Sequence, residues 1–359
     1  MSFCHYRIQS SYSLLESTLR VKEIIDIAKE YNMPAIALTD RDNLFGSLEF
    51  ANLAIENNIQ PIHGVIQNIS FININNNKEK FVDSAEILII AKNKVGFQNL
   101  LKLNSKLYIK DSNNISENKH QNNDKFQEYI KEEIIPNRLL DLLNINNIFS
   151  LFLNEKESKI ENNNLYITLE DLIEYQEGLI ILSAYEKGII GKCLLNNNKD
   201  LAKEYGNLFK NIFSDRYYLE ISRHNNKNEI LIENSYIKLA EKLSLPLIAT
   251  NNILFKSATD YDNHDSLICI ATARVKEDID RKRVSNNCYF RSQYQMKELF
   301  SDLPDAIENA ENLYLRCSYH TEDQKPMLPQ FSKDENSTLK KVALKGLNLR
   351  LEKKISSLK

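Results

Sequence analysis

The sequence predicts an α/β fold whose parallel strands are covered by helices, either an α/β barrel or a doubly wound sheet. Short apolar runs rich in β-branched residues are typical of buried strands, as in AIALTD at 35–40 and GLIILSAY at 178–185. Segments with apolar residues at helical spacing alternate with these runs, as in SLEFANLAIENN at 47–58 and the stretch 199–213. Strand–helix alternation of this kind favours parallel strands with helices on the sheet.

The first third of the chain shows this alternation clearly. HYRIQ predicts the first strand, and LRVKEIIDIAKEYNM predicts the first helix. AIALTD and SLEFANLAIENN then predict a strand and a helix. Two further strands are predicted by PIHGVIQNISFI and AEILIIAKN, followed by a helix in VGFQNLLKLNSKLYI.

The regular pattern stops at residue 110 and resumes with GLIILSAY at residue 178. Residues 110–135 are polar and rich in asparagine, so we expect a surface or disordered insertion there. After GLIILSAY, the second half predicts a helix at 199–213, the strand YYLEIS, a helix at 229–244 and the strand LPLIATNN. HDSLICIATA closes the pattern.

The character of the sequence changes after about residue 275. VKEDIDRKRVSNN is charged and loop-like, whereas QYQMKELFSDLPDAIENAENLYLRC predicts helix on both sides of Pro304. KPMLPQF reads as extended, and STLKKVALKGLNLRLEKKI predicts a final amphipathic helix. This last helix resembles the opening of a further region.

Composition indicates a soluble cytoplasmic protein with no global attraction to nucleic acid. The chain has 359 residues, 42% of them hydrophobic, and a formal net charge of −3. DNA contact would therefore need a local patch or a larger assembly. The five cysteines form no CxxC pair, which is unlike a disulfide framework or a zinc knuckle. No apolar run approaches membrane-spanning length, so we expect no membrane association.

Several stretches, in the same order, resemble the N-terminal region of bacterial DNA polymerase III alpha subunits, which is their polymerase and histidinol phosphatase (PHP) domain. The stretches are HYRIQSSYSLLES, MPAIALTDRDNLFGSLEFA, QPIHGV, EILIIAKNKVGFQNLLKL, EGLIILSAY, YYLEISRH, LPLIATNN and HDSLICI. The resemblance implies a distorted β/α barrel of the PHP type, similar to a TIM barrel, over residues 1–275. The asparagine-rich insertion at about 110–165 interrupts it. Residues 276–359 would form a connector and the incomplete start of the polymerase palm region.

In this family, divalent metals bind at the C-terminal ends of the barrel strands, where imidazoles and carboxylates suit zinc or manganese. Mapped by resemblance, most of these positions have lost a metal-binding side chain. The positions are Arg7, Gln9, Glu16, Asp40, Arg41, Ile66, Glu86, Tyr185, Asn252 and Leu254. Only Asp40, Glu16 and Glu86 keep a carboxylate, and we treat them as vestigial positions at which we do not expect metal binding.

Electrostatics supports this expectation. A guanidinium stays protonated, and two unit charges about 4 Å apart interact by roughly 4 kcal/mol at an effective dielectric of 20. An arginine beside a divalent ion therefore faces about twice that repulsion. We hypothesise that Arg7 and Arg41 lie among Asp40, Glu16 and Glu86 as an ion-pair network where metals would sit. The alternative is that both arginines point to solvent.

Other candidate residues point to structural roles. His63, His224 and His264 have no partners at ligand spacing, so we expect structural hydrogen bonds, with His264 and Asp265 bracing a helix start. No Ser-His-Asp set, P-loop or GxGxxG fingerprint is present.

The resemblance implies a non-catalytic scaffold that forms the N-terminal region of a DNA-directed DNA polymerase, a nucleotidyltransferase that acts in DNA replication. The chain lacks the paired aspartates that would hold magnesium for polymerisation, so we expect no cofactor within it. Its expected partners are the rest of the alpha subunit or holoenzyme and a proofreading exonuclease subunit. The alternative is a metal-dependent phosphoesterase or 3′–5′ exonuclease, and a third possibility is an unrelated barrel enzyme.

Overall fold

Seven strands form one curved sheet in a computed structural model that describes residues 3–70, 84–108, 124–132, 134–135, 165–323 and 330–356. The strands are β1 (Ala35–Arg41), β2 (Gln60–Ser70), β3 (Ser84–Ala91), β4 (Ile167–Thr168), β5 (Leu179–Leu182), β6 (Tyr217–Ile221) and β7 (Leu247–Ala249). They are ordered β1-β2-β3-β5-β6-β7, and β4 pairs with β2. The strands predicted after HYRIQ therefore all lie in a single sheet.

Many of the helices follow the predicted alternation, but the sequence does not predict those at Asp124–Lys131, Leu169–Glu174 and Ile189–Leu195. The first of these three lies in the stretch 110–135, where the sequence predicts a surface or disordered insertion. The helices that the structure describes up to residue 313 are α1 (Val21–Glu30), α2 (Ser47–Glu56), α3 (Lys94–Tyr108), α4 (Asp124–Lys131), α5 (Leu169–Glu174), α6 (Ile189–Leu195), α7 (Lys199–Phe213), α8 (Lys227–Leu243), α9 (Tyr261–Thr272), α10 (Gln293–Leu299) and α11 (Pro304–Leu313). Capping side chains fix two of the starts, since Asn198 accepts from the N–H of Leu201 and Asn226 accepts from that of Asn228. Both α7 and α8 end at a serine with positive φ.

The expectation of uniformly parallel strands is wrong for β3. This strand runs antiparallel to both of its neighbours, β2 and β5. The last residue of β2, Ser70, lies opposite the first residue of β3, Ser84, and this register makes the pair antiparallel. The other neighbouring strands pair in parallel.

The predicted first strand closes the barrel, although only Ile8 within it forms a regular bridge. Residues 5–9 lie between β1 and the chain that follows β7. On one side the N–H of Thr39 donates to the carbonyl of Ile8 at 2.8 Å. On the other side, Ile253 pairs in parallel with Ile8 and its N–H donates to the carbonyl of Arg7 at 3.0 Å. The predicted distorted β/α barrel is therefore confirmed.

The chain divides into two compact units, Met1–Glu322 and Asp323–Lys359. The predicted boundary near residue 275, between a barrel and a palm region, stays a prediction, and that residue lies inside the first unit. Most of the predicted insertion at 110–165 lies outside the described residues, as does most of KPMLPQF.

The second unit contains one helix, α12 (Glu335–Ser356), in its described part. Aliphatic side chains along this helix, including Leu339 and Leu344, are exposed. No helix among the described residues is both long and apolar enough to cross a lipid bilayer.

Candidate functional site

The mouth of the barrel holds a cluster of charged side chains contributed by distant parts of the chain. Arg7 belongs to the segment that closes the barrel, Arg41 is the last residue of β1, and Glu86 and Glu220 lie in β3 and β6. Glu16 comes from the loop after the first segment. We call these five residues the arginine–carboxylate network.

Arg7 is the buried centre of one half of this network. Its exposed fraction is 4%, against 7% for Glu86 and 1% for Glu220. One terminal nitrogen of Arg7 forms an ion pair with Oε1 of Glu86. The other lies 3.4 and 3.3 Å from the two carboxylate oxygens of Glu220. Arg7 therefore links β3 and β6, which are the two neighbours of β5 in the sheet.

Arg41 forms the other half, nearer to solvent. Its Nε donates to Glu16 at 2.8 Å, and its Nη2 donates to Oε2 of Glu86 at 2.6 Å. The side chains of Arg41 and Glu16 are 21% and 30% exposed. Glu86 bridges both guanidinium groups, one on each oxygen. The hypothesis that both arginines lie among these acids as an ion-pair network is confirmed for Arg7 with Glu86 and for Arg41 with Glu16 and Glu86.

The same hypothesis is wrong for Asp40. Its carboxylate accepts hydrogen bonds from the N–H of Ser10 at 2.6 Å, the hydroxyl of Ser10 at 2.8 Å and the hydroxyl of Ser13 at 2.6 Å. Burial raises the pKa of Asp40, and these hydrogen bonds oppose the shift by stabilising the carboxylate. Asp40 thus organises the loop after the first segment and forms no described pair with either arginine.

Glu220 is a member of the network that sequence reasoning missed. Besides Arg7, it accepts from the N–H of Ala184 at 3.0 Å and from the hydroxyl of Thr250 at 2.7 Å. The sequence did carry a feature that points to Glu220, because it is the one charged residue in β6, a strand that is buried along its whole length. A carboxylate at such a position needs a partner inside the barrel.

None of the five remaining mapped positions carries a carboxylate, imidazole or thiol. Ile66, Tyr185 and Leu254 present buried hydrophobic side chains. Gln9 is buried, and its Oε1 has no hydrogen-bond partner among the described residues. Within the described ranges, no group of three or more His, Cys, Asp or Glu side chains could hold a metal ion.

The sequence predicts structural hydrogen bonds for three histidines, and His224 and His264 form them. His224 lies 2.8 Å from Glu229 through Nδ1 and 3.0 Å from Asn251 through Nε2. His264 does not brace the start of α9. Its Nε2 lies 2.8 Å from the carbonyl of Glu16, and this contact connects α9 to the loop that contains Glu16.

The expectation of a structural hydrogen bond is wrong for His63. Both ring nitrogens lack a hydrogen-bond partner in the part of the chain that the structure describes, and the ring packs edge-on against Phe50 and Phe97. Burial lowers the pKa of His63 to about 3, so the ring is neutral at ordinary pH.

Two cavities open beside the network, with volumes of about 200 and 540 Å³. Arg7 and Glu220 line the smaller cavity, and Arg41 and Glu86 line the larger one. Lys187 lines both, and desolvation in this concave mouth together with the nearby charge of Arg7 lowers its pKa.

The residues of this mouth do not fit the metal cluster that the family implies. The network contains two permanent cations and three carboxylates, and the arginines already occupy the carboxylates Glu16, Glu86 and Glu220. A divalent ion about 4 Å from one guanidinium would meet roughly 8 kcal/mol of repulsion at an effective dielectric of 20. The arrangement favours charge compensation by arginine over metal coordination.

Comparison with known proteins gives one matching domain family. The family model of the PHP domain matches residues 5–144 and 139–224. The DNA polymerase III subunit alpha of Rickettsia bellii is 44% identical over 358 residues, which are 99% of this chain and 26% of that protein. The subunit of Rickettsia conorii is 42% identical over 359 residues, again 99% of this chain and 26% of that protein. The chain thus spans about a quarter of the length of these relatives.

Among solved structures, an amidohydrolase from Chromobacterium violaceum is similar over 70% of this chain and 88% of its own, with a TM-score of 0.37 and 13% identity.

Proposed function

The chain belongs to the PHP domain family, and from this premise we propose that it is a non-catalytic scaffold at the start of a DNA polymerase III alpha subunit. The similarity to the N-terminal quarter of such subunits supports the placement. A scaffold role requires a barrel that stays assembled without a bound cofactor. The arginine–carboxylate network supplies the internal charge balance for such a barrel.

One observation carries the proposal: Glu86 forms an ion pair with Arg7 through one carboxylate oxygen and accepts a hydrogen bond from Arg41 on the other. In metal-dependent sites, carboxylates at a barrel mouth compensate dications. Here the negative charge of the carboxylates at the barrel mouth is compensated by guanidinium groups, which cannot lose their protons and are covalently part of the chain. The charge balance therefore does not depend on metal supply.

The proposal includes the setting of the protein. Its partners would be the remainder of an alpha subunit or holoenzyme, in the cytoplasm, together with a proofreading exonuclease subunit. DNA contact and nucleotidyl transfer, with magnesium at the polymerase site, would belong to the larger assembly. The length of the relatives supports a larger assembly, because about three quarters of each relative lies beyond the matched region.

Metal analysis of the purified 359-residue chain tests the scaffold role. We expect far less than stoichiometric zinc or manganese after dialysis, and an unchanged melting temperature with or without a chelator. We also expect no hydrolysis of p-nitrophenyl phosphate or of labelled single-stranded DNA when manganese or zinc is added. Near-stoichiometric metal that stabilises the fold, or nuclease turnover that is lost in Asp40→Asn, would establish the phosphoesterase or exonuclease alternative instead.

A further inference from the structure

The segment 273–287, which we call the strap, crosses the barrel mouth between α9 and a fixed point at Cys288. It begins at Ala273, whose left-handed backbone (φ 51°) ends α9. It ends where the carbonyl of Cys288 accepts from the N–H of Leu254 at 2.9 Å. Between these points the backbone forms neither helix nor strand, and Ile279 is 93% exposed.

The strap lies over the arginine–carboxylate network. Lys282 and Val284 line both cavities of the mouth, as do Lys187 and Asn252, so the strap supplies part of the lining that the two cavities share. The same strap residues thus border the cavity of Arg7 and the cavity of Arg41. Movement of the strap would therefore widen both cavities and admit more water to the network.

One bidentate ion pair holds the middle of the strap to the barrel. The two terminal nitrogens of Arg281 donate to the two carboxylate oxygens of Asp265, each at 2.6 Å. Side-chain exposure is 4% for Arg281 and 9% for Asp265. Bidentate pairing of this kind fixes geometry as well as charge. We call this pair the latch.

The other contacts of the strap are weaker or lie at its ends. Lys276 pairs with Asp262 at 2.7 Å, but these side chains are 38% and 82% exposed. Near the far end, the hydroxyl of Ser285 donates to the carbonyl of His224 at 2.5 Å. Release of the latch would thus free the middle of the strap while both ends stay attached.

We propose that the strap is a latched cover that opens as a local unit, while the barrel stays folded, and so controls solvent access to the arginine–carboxylate network. Cys288 reports on this opening. Its thiol lines the smaller cavity and is 3% exposed, so the closed strap keeps it from reagents in solution.

Thiol labelling of the full chain with a maleimide, located by mass spectrometry, tests the proposal. Asp265→Asn should raise the labelling rate of Cys288 by roughly tenfold, since loss of one charge-assisted pair shifts a local opening equilibrium. Asp262→Asn is the matched control, because it removes the exposed pair on the same helix, and it should leave the rate unchanged. Cys193, buried in α6, should label slowly in every variant.

The proposal is overturned if Cys288 labels equally in Asp265→Asn and the parent chain, or if Cys193 accelerates in step with Cys288. The second result would mean that the whole barrel opens.

Hydrogen exchange on the unmodified chain gives a test that needs no variant. Amides of residues 274–284 should exchange much faster than those of β1. Exchange of both groups at the same rate would overturn the proposal even if the variants fail to fold.

Discussion

Replacement of Arg7 by methionine removes the buried cation that Glu86 and Glu220 share. Methionine occupies much of the same length without charge, so the change isolates the guanidinium. Glu220 keeps its hydrogen bonds from Ala184 and Thr250, but it loses its ion pair although the residue is only 1% exposed. Glu86 keeps Arg41 alone. Of the three guanidinium–carboxylate ion pairs that Glu86 and Glu220 form in the network, only the one between Glu86 and Arg41 then remains.

The expected cost follows from burial. Removal of one partner from a buried ion pair leaves an uncompensated charge, which typically costs about 3–5 kcal/mol. That is a large share of the roughly 5–15 kcal/mol by which most domains are stable. Arg41→Met should cost less, because Arg41 and Glu16 are 21% and 30% exposed and water screens the charge that remains.

Urea denaturation, followed by circular dichroism, measures both variants against the parent chain at one pH and salt concentration. The double variant Arg7→Met with Glu220→Gln should recover part of the loss, because the second change removes the stranded charge. If Arg7→Met stays within about 1 kcal/mol of the parent, the network does not stabilise the barrel in the way that its burial indicates.

Further predictions concern buried and exposed positions elsewhere. His63 is neutral in the fold because its pKa is lowered from 6.5 to about 3, whereas the unfolded chain binds a proton below 6.5. Stability should therefore fall as pH drops from 6.5 towards 3, and His63→Phe should flatten this decline in melting temperatures taken between pH 7.5 and 4.5; an unchanged slope would contradict it. Gly64→Ala should destabilise the first unit by about 1–3 kcal/mol in urea denaturation, since a Cβ there would lie 2.7 Å from the carbonyl oxygen of Ile89. Gly346→Ala is its matched counterpart in α12, where no atom lies within 4 Å of the added Cβ. It should stabilise the helix by about 0.5–1 kcal/mol and so increase the helical signal in circular dichroism. A neutral Gly64→Ala would show that β1 and β3 yield to the extra methyl group.

The elements of the fold could be read from local pattern because helix and strand depend on neighbours in sequence. The predicted helix at 199–213 has the bounds of α7, and AIALTD and YYLEIS lie on β1 and β6. The antiparallel direction of β3 could not be read in this way, because strand direction depends on which strand becomes the neighbour in the sheet.

The charged site, too, is determined partly by the sequence and partly by the tertiary structure. The sequence by itself determined that Arg7 and Arg41 stand where metal ligands are expected, and that their permanent charge opposes a dication. Only the tertiary structure decided which carboxylates pair with them. Glu220 lies 213 positions from Arg7 along the chain, and Asp40, one of the two acids adjacent to Arg41 in sequence, is engaged by Ser10 and Ser13 instead. Closure of the barrel sets these distances, and an ion pair forms only between groups that the backbone brings within a few ångströms.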